Sequence, residues 1–467
     1  MNGEIKENAP LLGTCSSSAF AKTPVPVKIW YGCGMFGGNV MNTLLATFLL
    51  SYYTDTALMG VAAVGTMFFL TRILDGVTDI IMGGIVDRTN TRFGKCRPWL
   101  FAAAPLMAVG IIAILHVPMG ASDTWKLAYA YITYIFLNCI VFTMFGISNS
   151  ALLARLTLNV NDRTTIVTIQ GLFNNLSAIV FGSITVFIVQ TVGWTGTSII
   201  MGLIAGIFIL IEALGTKEVV GIDAETGRLN VKEASMKKAV PIVLKNKYFY
   251  ILVLIGVFTL LMNANAIGSS IFYVNNVIKD PAFMGVLMSI GGLPGLVMLI
   301  ILPLVAPKIG KRYFMMIGCA LLLVGFFICG IANGNKALVL IGTIIRSLGT
   351  GPLFACQNAF IADITDYGEW KYGIRTEGLI SSSQSIGSKI GIGLGSGATG
   401  WALAVGGYIG GAAVQPASAM GAINFAFGWL GLIFSVCLLV FVLLMNVEKY
   451  LPEIKTALQT KYAAEGK

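Results

Sequence analysis

The chain has 467 residues, of which 56% are hydrophobic and only 11% are charged. Soluble domains carry about 25% charged residues, so this composition excludes an ordinary globular protein. The net charge of +10 does not indicate a nucleic-acid partner, because Lys and Arg collect in alternate loops between long apolar segments. This is the positive-inside pattern. It predicts a multi-pass protein of the cell (cytoplasmic) membrane with both termini in the cytoplasm.

Twelve apolar segments are long enough to cross a hydrocarbon core, which takes about 20 helical residues. They lie near 27–52, 58–86, 98–118, 125–154, 164–193, 196–216, 248–276, 282–306, 312–333, 336–365, 377–411 and 419–446. We therefore expect an all-α membrane protein with a cytoplasmic tail at 1–26, an N-terminal six-helix bundle at 27–216, a cytoplasmic central loop at 217–247, a C-terminal six-helix bundle at 248–447 and a cytoplasmic tail at 448–467. Six spans, a basic loop and six more spans are the layout of a two-half transporter.

The first span carries polar side chains among its glycines, namely Tyr31, Asn39 and Asn42, and the seventh span adds Asn263. Amides and aromatic rings suit a sugar, because each hydroxyl needs a hydrogen-bond partner and the rings cover apolar faces. We predict that these residues bind substrate. The alternative is that the amides only join neighbouring helices.

The second span contains two carboxylates, Asp75 and Asp79, and the cation Arg72. An ionisable residue inside a span costs about 2.5–3.5 kcal/mol on insertion scales, so each one suggests a function. Spacings of three and four place the three residues on one helical stripe, with Thr78 on its flank. Two carboxylates and a hydroxyl are hard oxygen ligands for a small cation, and a carboxylate pair can equally share a proton. We predict a cation site, with Arg72 neutralising one carboxylate when the cation is absent; the alternative is an ion-pair network that only holds helices together.

Two charged segments at the cytoplasmic ends of spans are candidates for gating. The loop after the second span carries Asp87, Arg88 and Arg92, and it is either a solvated loop or a latch that exchanges ion pairs as the halves move. The end of the tenth span carries a second group, Asp363, Asp366 and Glu369, followed by Arg375. This group is either a salt-bridge cluster that holds the inward side closed or an ordinary charged loop.

Two further basic residues lie inside apolar spans of the second half. Arg346 in the tenth span suits a fixed anion such as a substrate carboxylate, or else it pairs with an acidic residue of another span. In the eleventh span Lys389 follows Gln384 and Ser385 among small residues. Because Lys389 is intramembrane, we expect it to face a cavity or a carboxylate.

Three motifs resemble one known family. They are RILDGVTDIIMGGIVDRTNTRFGKCRPW (72–99), LLSYYTD (49–55) and ADITDYGEWKYGIRTEG (362–378), and together they are similar to the glycoside–pentoside–hexuronide:cation symporters, the family of melibiose permease and the glucuronide carriers. The resemblance covers essentially the whole chain. It implies the major facilitator fold, with twelve helices in two bundles, alternating access, and sugar uptake driven by Na⁺ or H⁺.

The resemblance also implies roles for single residues. The family's cation-site carboxylates match Asp75 and Asp79, which would hold sodium if the chain is sodium-coupled. Thr78 takes the place of the residue before the second carboxylate, and a span-four hydroxyl ligand corresponds to Thr143. The family's span-eleven glutamine, hydroxyl and lysine match Gln384, Ser385 and Lys389.

The sugar site departs from the family's galactoside pattern. Asn39 replaces the span-one carboxylate, while Gly146 and Ser150 replace the span-four carboxylate and tryptophan. Loss of carboxylates together with Arg346 favours an acidic sugar. We predict a secondary active symporter of a glycoside or hexuronide, with a small-molecule sugar, a monovalent cation and the lipid bilayer as partners and no other cofactor. The alternative is a cation-coupled carrier of a lipid-like or other organic substrate. An enzyme is not favoured, because no GxSxG or HExxH pattern occurs.

Overall fold

The computed structural model describes residues 22–157, 159–219, 241, 243–373 and 377–464, and this part of the chain is mostly helical. Within it the one β contact is an isolated bridge between Thr91 and Gly94, in the turn after the second helix. Two predicted features lie outside the described residues. They are Arg375 of the proposed gating cluster and most of the central loop expected at 217–247.

Helices α1 to α6 form the first half of the chain. They are α1 (Val25–Thr56), α2 (Val61–Arg88), α3 (Arg97–Ile114), α4 (Asp123–Leu156) and a helical segment, Val160–Gly215, that divides at Gly193 into α5 (160–192) and α6 (194–215). Gly193 has a φ of 69°, a left-handed conformation that glycine adopts at little cost. The chain turns back there, and α5 and α6 lie side by side: Phe36 of α1 contacts both Phe181 of α5 and Phe208 of α6.

Helices α7 to α12 form the second half. They are α7 (Lys247–Ile278), α8 (Phe283–Ile309), α9 (Lys311–Ile331), α10 (Lys336–Tyr372), α11 (Glu377–Val405) and α12 (417–444), and a tail helix α13 (Leu451–Ala464) follows. Two predicted ends were wrong: α10 continues to Tyr372 where the predicted span ends at 365, and α11 ends at Val405 where the predicted span continues to 411. The last turns of α10 are polar but still helical. The helix ends at Gly373, which has a φ of 75° and donates its N–H to the Glu369 carbonyl (2.8 Å).

These helices account for the predicted spans. Within the described residues, nine helical segments are long and apolar enough to cross a membrane, and one of them, Asp162–Gly215, contains both α5 and α6. α8 and α11 complete the twelve. The end of the molecule where α2 leads into α3 carries the loop with Arg88, Arg92 and Lys95, and we call it the basic end. We call the end where α1 leads into α2 the opposite end.

The two halves repeat one structural detail at the basic end. Gly94 before α3 and Gly310 before α9 both have positive φ, 104° and 93°. Glu218, just after α6, accepts hydrogen bonds from the backbone N–H groups of the two residues before α3 and of its first residue. Glu448, just after α12, accepts from the first two backbone N–H groups of α9 (2.8–3.3 Å for the whole set). A carboxylate there satisfies otherwise unpaired N–H groups and faces the positive end of the helix dipole.

Hydrogen bonds join the two halves from the middle of the spans to the opposite end. Trp401 of α11 donates its Nε1 to the Thr66 hydroxyl of α2 (3.1 Å). Nearer the opposite end Tyr408 donates its hydroxyl to Asp55 (2.7 Å). The halves are therefore in contact at that end.

Small residues allow α2 and α11 to touch between these hydrogen bonds. A Cβ atom on Gly400 would lie 2.9 Å from the Cα of Gly65, closer than real Cβ contacts come. Toward the basic end the same two helices expose Ile80 (74%) and Ile386 (48%). The contact between α2 and α11 is thus tight on the side of the opposite end.

Candidate functional site

A cluster of charged side chains joins α2 to α11 in the middle of the spans. α2 holds Asp75 and Asp79 one turn apart, and Lys389 of α11 lies between them. Its Nζ is 3.1 Å from Asp75 Oδ2 and 2.5 Å from Asp79 Oδ2, and it also donates to the Asp75 carbonyl oxygen (2.9 Å). Arg72 Nη1 lies 3.5 Å from Asp75 Oδ2. The expected carboxylate partner of Lys389 is therefore this pair.

Thr143 of α4 completes the oxygen cluster. Its Oγ1 lies 3.1 Å from Asp75 Oδ1 and 3.2 Å from Asp79 Oδ1, on the side away from Lys389. Thr78 does not contact the carboxylates, because its hydroxyl donates to the Asp75 backbone carbonyl (3.0 Å). Asp75 is buried, whereas the side chain of Asp79 is 27% exposed. Asp79 is thus the more accessible of the two carboxylates.

The cluster has the chemistry of a small-cation site. Two carboxylates and a hydroxyl present hard oxygen atoms that suit Na⁺, and two carboxylates this close also suit a shared proton. The positive charges of Arg72 and Lys389 balance the two carboxylates, as a buried ion cluster requires. The Lys389 ammonium already contacts one oxygen of each carboxylate.

A cavity of about 480 Å³ lies between the two halves, a size typical of small-molecule sites. Its walls come from α5, α7, α8, α9 and α10, and its polar lining includes Asn174, Asn175, Asn263, Ser270, Thr343, Arg346, Ser347 and Thr350. Apolar surface comes from Phe326 and Phe354, among others. The mixture of amides, hydroxyls and rings suits a polyhydroxylated ligand better than a purely apolar one.

Arg346 is the charged residue of this cavity. Its guanidinium carbon lies 5.4 Å from the ring centre of Phe326 and 5.3 Å from that of Phe427, within cation–π range. Its Nη1 is buried without a hydrogen-bond partner. No ion pair joins Arg346 to an acidic residue in the described part of the chain. Of the two interpretations from sequence, a fixed anion supplied by a ligand fits this environment.

The predicted substrate residues of the first half are divided between several places. Asn39 donates its Nδ2 to the backbone carbonyl of Asn174 (2.9 Å), so it fixes a residue that lines the cavity. Beside Gly146 there is open space, since a Cβ would meet no atom within 4 Å. Asn42 is half-buried and Ser150 is exposed.

Tyr31 lies in a separate polar network. Its hydroxyl donates to the backbone carbonyl and the side-chain oxygen of Asn149 (3.0 and 3.1 Å). Gln170 and Glu212 also contact Asn149. Sequence interpretation missed this network, although Glu212 gives the same signal as Asp75, an acid inside an apolar span.

The α11 residues ahead of Lys389 differ from each other. Gln384 is buried and its Oε1 has no hydrogen-bond partner, whereas Ser385 is exposed. A buried amide oxygen without a donor is costly. Gln384 is therefore ready to accept a hydrogen bond from a ligand or water.

The proposed gating residues lie in the two separate segments that the sequence indicates. Asp363 pairs with Lys311 of α9 (2.7 Å), inside the second half. Asp366 and Glu369 also interact with neighbouring groups. The loop residues are all exposed, and they are Asp87, Arg88 and Arg92. Arg92 lies over the ring of Phe93 (4.8 Å) rather than on a described carboxylate.

Comparison with known proteins gives one family and several full-length relatives. Residues 30–449 match the family described as MFS/sugar transport protein. The isoprimeverose transporter of Lactiplantibacillus pentosus is 31% identical over 476 residues, covering 97% of this chain and 95% of the relative. The glucuronide carrier protein homolog of Escherichia coli (strain K12) is 29% identical over 407 residues, covering 84% of this chain and 86% of the relative.

Solved structures of other transporters share the fold. The nucleoside transporter NupG superimposes with a TM-score of 0.63 at 13% identity, covering 89% of this chain and 98% of that protein. A D-xylose-proton symporter gives a TM-score of 0.61 at 14% identity, with coverage of 89% and 96%. At these identities the likeness concerns the arrangement of helices alone.

Proposed function

Because the chain belongs to the MFS/sugar transport protein family, we propose that it carries a glycoside or hexuronide into the cell in symport with Na⁺ or H⁺. The predicted resemblance to cation-coupled glycoside symporters is confirmed, as is the all-α fold of a multi-pass membrane transporter rather than an enzyme. We further propose that it lies in the cytoplasmic membrane with both termini and the basic end in the cytoplasm. The basic loops support this orientation.

The contact between Lys389 and the two carboxylates carries the proposal. It joins α2 of the first half to α11 of the second half, so whatever occupies the carboxylates acts on the distance between the halves. We propose that Na⁺ or a proton binds at Asp75 and Asp79, with Thr143 supplying a third oxygen. Release of the Lys389 ammonium then frees α11 to move relative to α2, which is the coupling that alternating access requires.

We propose that the cavity between the halves is the sugar site. Asn263, Asn174 and the hydroxyls of α10 would bond the sugar hydroxyls, and Arg346 would bind a carboxylate. The names of the relatives support a neutral and an acidic sugar alike, since one names isoprimeverose and the other a glucuronide. The uncompensated charge of Arg346 favours the acidic sugar.

The proposal is tested with purified protein in proteoliposomes. Uptake of radiolabelled isoprimeverose and of methyl β-glucuronide is measured under an inward Na⁺ gradient, an inward H⁺ gradient or neither. We expect accumulation of one of them under one of the two gradients, and we expect Asp79→Asn to abolish it. Asp280→Asn, which removes a surface partner of Lys336 (2.6 Å), is the matched control and should transport normally. Equal uptake with and without either gradient would show that the protein is not a symporter.

A further inference from the structure

Glu212 of α6 is a buried acid outside the cation cluster, by which we mean the candidate cation site formed by Arg72, Asp75, Asp79 and Lys389. Its side chain is completely shielded from solvent. Its Oε1 accepts a hydrogen bond from Asn149 Nδ2 of α4 (2.6 Å), and its Oε2 has no hydrogen-bond partner. Oε2 occupies the space beside Gly34 of α1 where any side chain would collide with it. The carboxyl group thus lies in a closed site between three helices.

The groups that surround Glu212 carry no balancing charge. Tyr31 and Cys33 of α1 are uncharged at neutral pH, and Asn149 and Gln170 are amides. On α3, Arg97 donates its Nε to the Ala213 carbonyl (3.0 Å), and its guanidinium forms no ion pair with Glu212. In the part of the chain that the structure describes, no Lys or Arg pairs with this carboxyl. Asp75 and Asp79 differ in this respect, because Arg72 and Lys389 balance their charges.

An isolated carboxylate in such a site is very unfavourable. Burying an ionised carboxyl without a partner costs far more than burying a neutral polar group, and the group takes up a proton instead. A protonated acid keeps Oε1 as the acceptor from Asn149 and places its proton on Oε2. Leaving Oε2 without a partner therefore costs less in the neutral acid than in the carboxylate.

We propose that Glu212 is a proton-binding site of the first half, separate from the cation pair on α2. Through Asn149 the neutral acid fixes Tyr31 and Gln170, whose Nε2 donates to Asn149 Oδ1 (2.8 Å). Gln170 lies one turn before Asn174, which lines the cavity. Loss of the proton would place an unbalanced charge behind this wall.

A protonated Glu212 makes the stability of the folded protein depend on pH. In the unfolded chain a glutamate loses its proton near pH 4.3, whereas folded Glu212 keeps it. Unfolding then releases a proton at neutral pH, so stability falls as the pH rises. Relative to a variant that cannot ionise, the unfolding constant of the native protein grows by up to about tenfold for each pH unit.

Infrared spectroscopy of the full-length protein in lipid gives the direct test. We expect Glu212→Gln to lose a C=O stretching band of a protonated carboxylic acid at neutral pH. The control is Glu218→Gln, because the Glu218 carboxyl accepts three backbone N–H bonds and lies 3.9 Å from Arg155; this variant should lose no such band. In parallel, the melting temperature of the native protein should fall from about pH 6 to about pH 9 more steeply than that of Glu212→Gln. An unchanged acid band in Glu212→Gln, or identical pH slopes, would overturn the proposal.

Glu212→Asp keeps the proposal testable if the glutamine variant does not reach the membrane. Aspartate retains the acid on a shorter side chain, so the acid band should persist at a shifted frequency. Infrared spectra and melting curves of this variant need no knowledge of the transported sugar, so their failure and that of the symport proposal are distinguishable. An acid band with the native frequency in Glu212→Asp would assign it to another residue and overturn the proposal.

Discussion

Lys389 is the one basic residue of the cation cluster for which ion pairs with both carboxylates are described. Arg72 and Lys389 carry two positive charges against the two negative charges of Asp75 and Asp79, so the four side chains sum to zero. Removing one partner of a buried ion pair leaves an unbalanced charge, which costs about 3–5 kcal/mol. We therefore expect a cation that reaches the carboxylates to compete with the Lys389 ammonium.

We expect Lys389→Gln to bind the coupling cation more tightly and to be less stable without it. The carboxylates then lack their α11 partner, so the cation gains attraction without competition. The rise in melting temperature on adding Na⁺, or on lowering the pH if the ion is a proton, should reach half its maximum at an about tenfold lower cation concentration. Lys336→Gln removes the surface partner of Asp280 and should behave like the native protein. A weaker cation response in Lys389→Gln would contradict the competition.

The sequence identifies some of these residues and not others, for a physical reason. Two acids one turn apart in an apolar run stand out wherever the helix lies, so Asp75 and Asp79 are predictable. Lys389 is visible as an intramembrane cation, but its partner is 314 residues away, and only the packing of α11 on α2 brings them together. Thr143 came from family resemblance, because a single threonine in a span carries no signal of its own.

At the scale of elements, glycine contacts decide how close α2 and α11 come. Gly400 rests on the backbone of Gly65 and near the carbonyl of Val61. Close backbone approach is a common basis of helix association in lipid. The abundance of glycine could be read from the sequence, but which glycines meet could not, since each helix presents several around its surface.

We expect Gly400→Ala to loosen the opposite end of the molecule. The added Cβ would lie 2.9 Å from the Gly65 Cα and 3.0 Å from the Val61 carbonyl oxygen, so the two backbones have to separate. Amide hydrogen exchange in peptides covering 61–66 and 397–405 should become faster, and the melting temperature should fall. Gly421→Ala is the matched control, because a Cβ there meets no atom within 4 Å. Equal effects of the two substitutions would mean that the Gly65 contact is not what holds these helices.

At the scale of the whole molecule, contacts between the two halves extend from the opposite end to the middle of the spans. The Tyr408–Asp55 and Trp401–Thr66 hydrogen bonds join the opposite end, and the Lys389 contacts join the middle. Hydropathy could predict twelve spans and their division into sixes, because it depends only on local sequence. It could not predict which end is joined, since that depends on side chains brought together from distant spans.

The hydrogen bond between Tyr408 and Asp55 bears on the balance between the two ends of the molecule. Tyr408→Phe keeps the ring but removes the hydroxyl that donates a hydrogen bond to Asp55 (2.7 Å). A lost hydrogen bond to a charged group amounts to about 1.5–3 kcal/mol, enough to change the ratio of two conformations about tenfold or more. Spin labels on the exposed residues Trp125 and Val414, at the opposite end, should show a larger population of long distances.

A second label pair distinguishes alternating access from simple loosening. Phe93 and Tyr313 are exposed at the basic end, in the first and second halves. If the halves rock about the cation cluster, Tyr408→Phe should shorten the distance between these labels by the same change in population. Longer distances at the opposite end without shorter ones at the basic end would show that the hydrogen bond holds the fold together and does not select between two conformations. Because each population is weighted by its free energy, the changes at the two ends should also be equal in proportion.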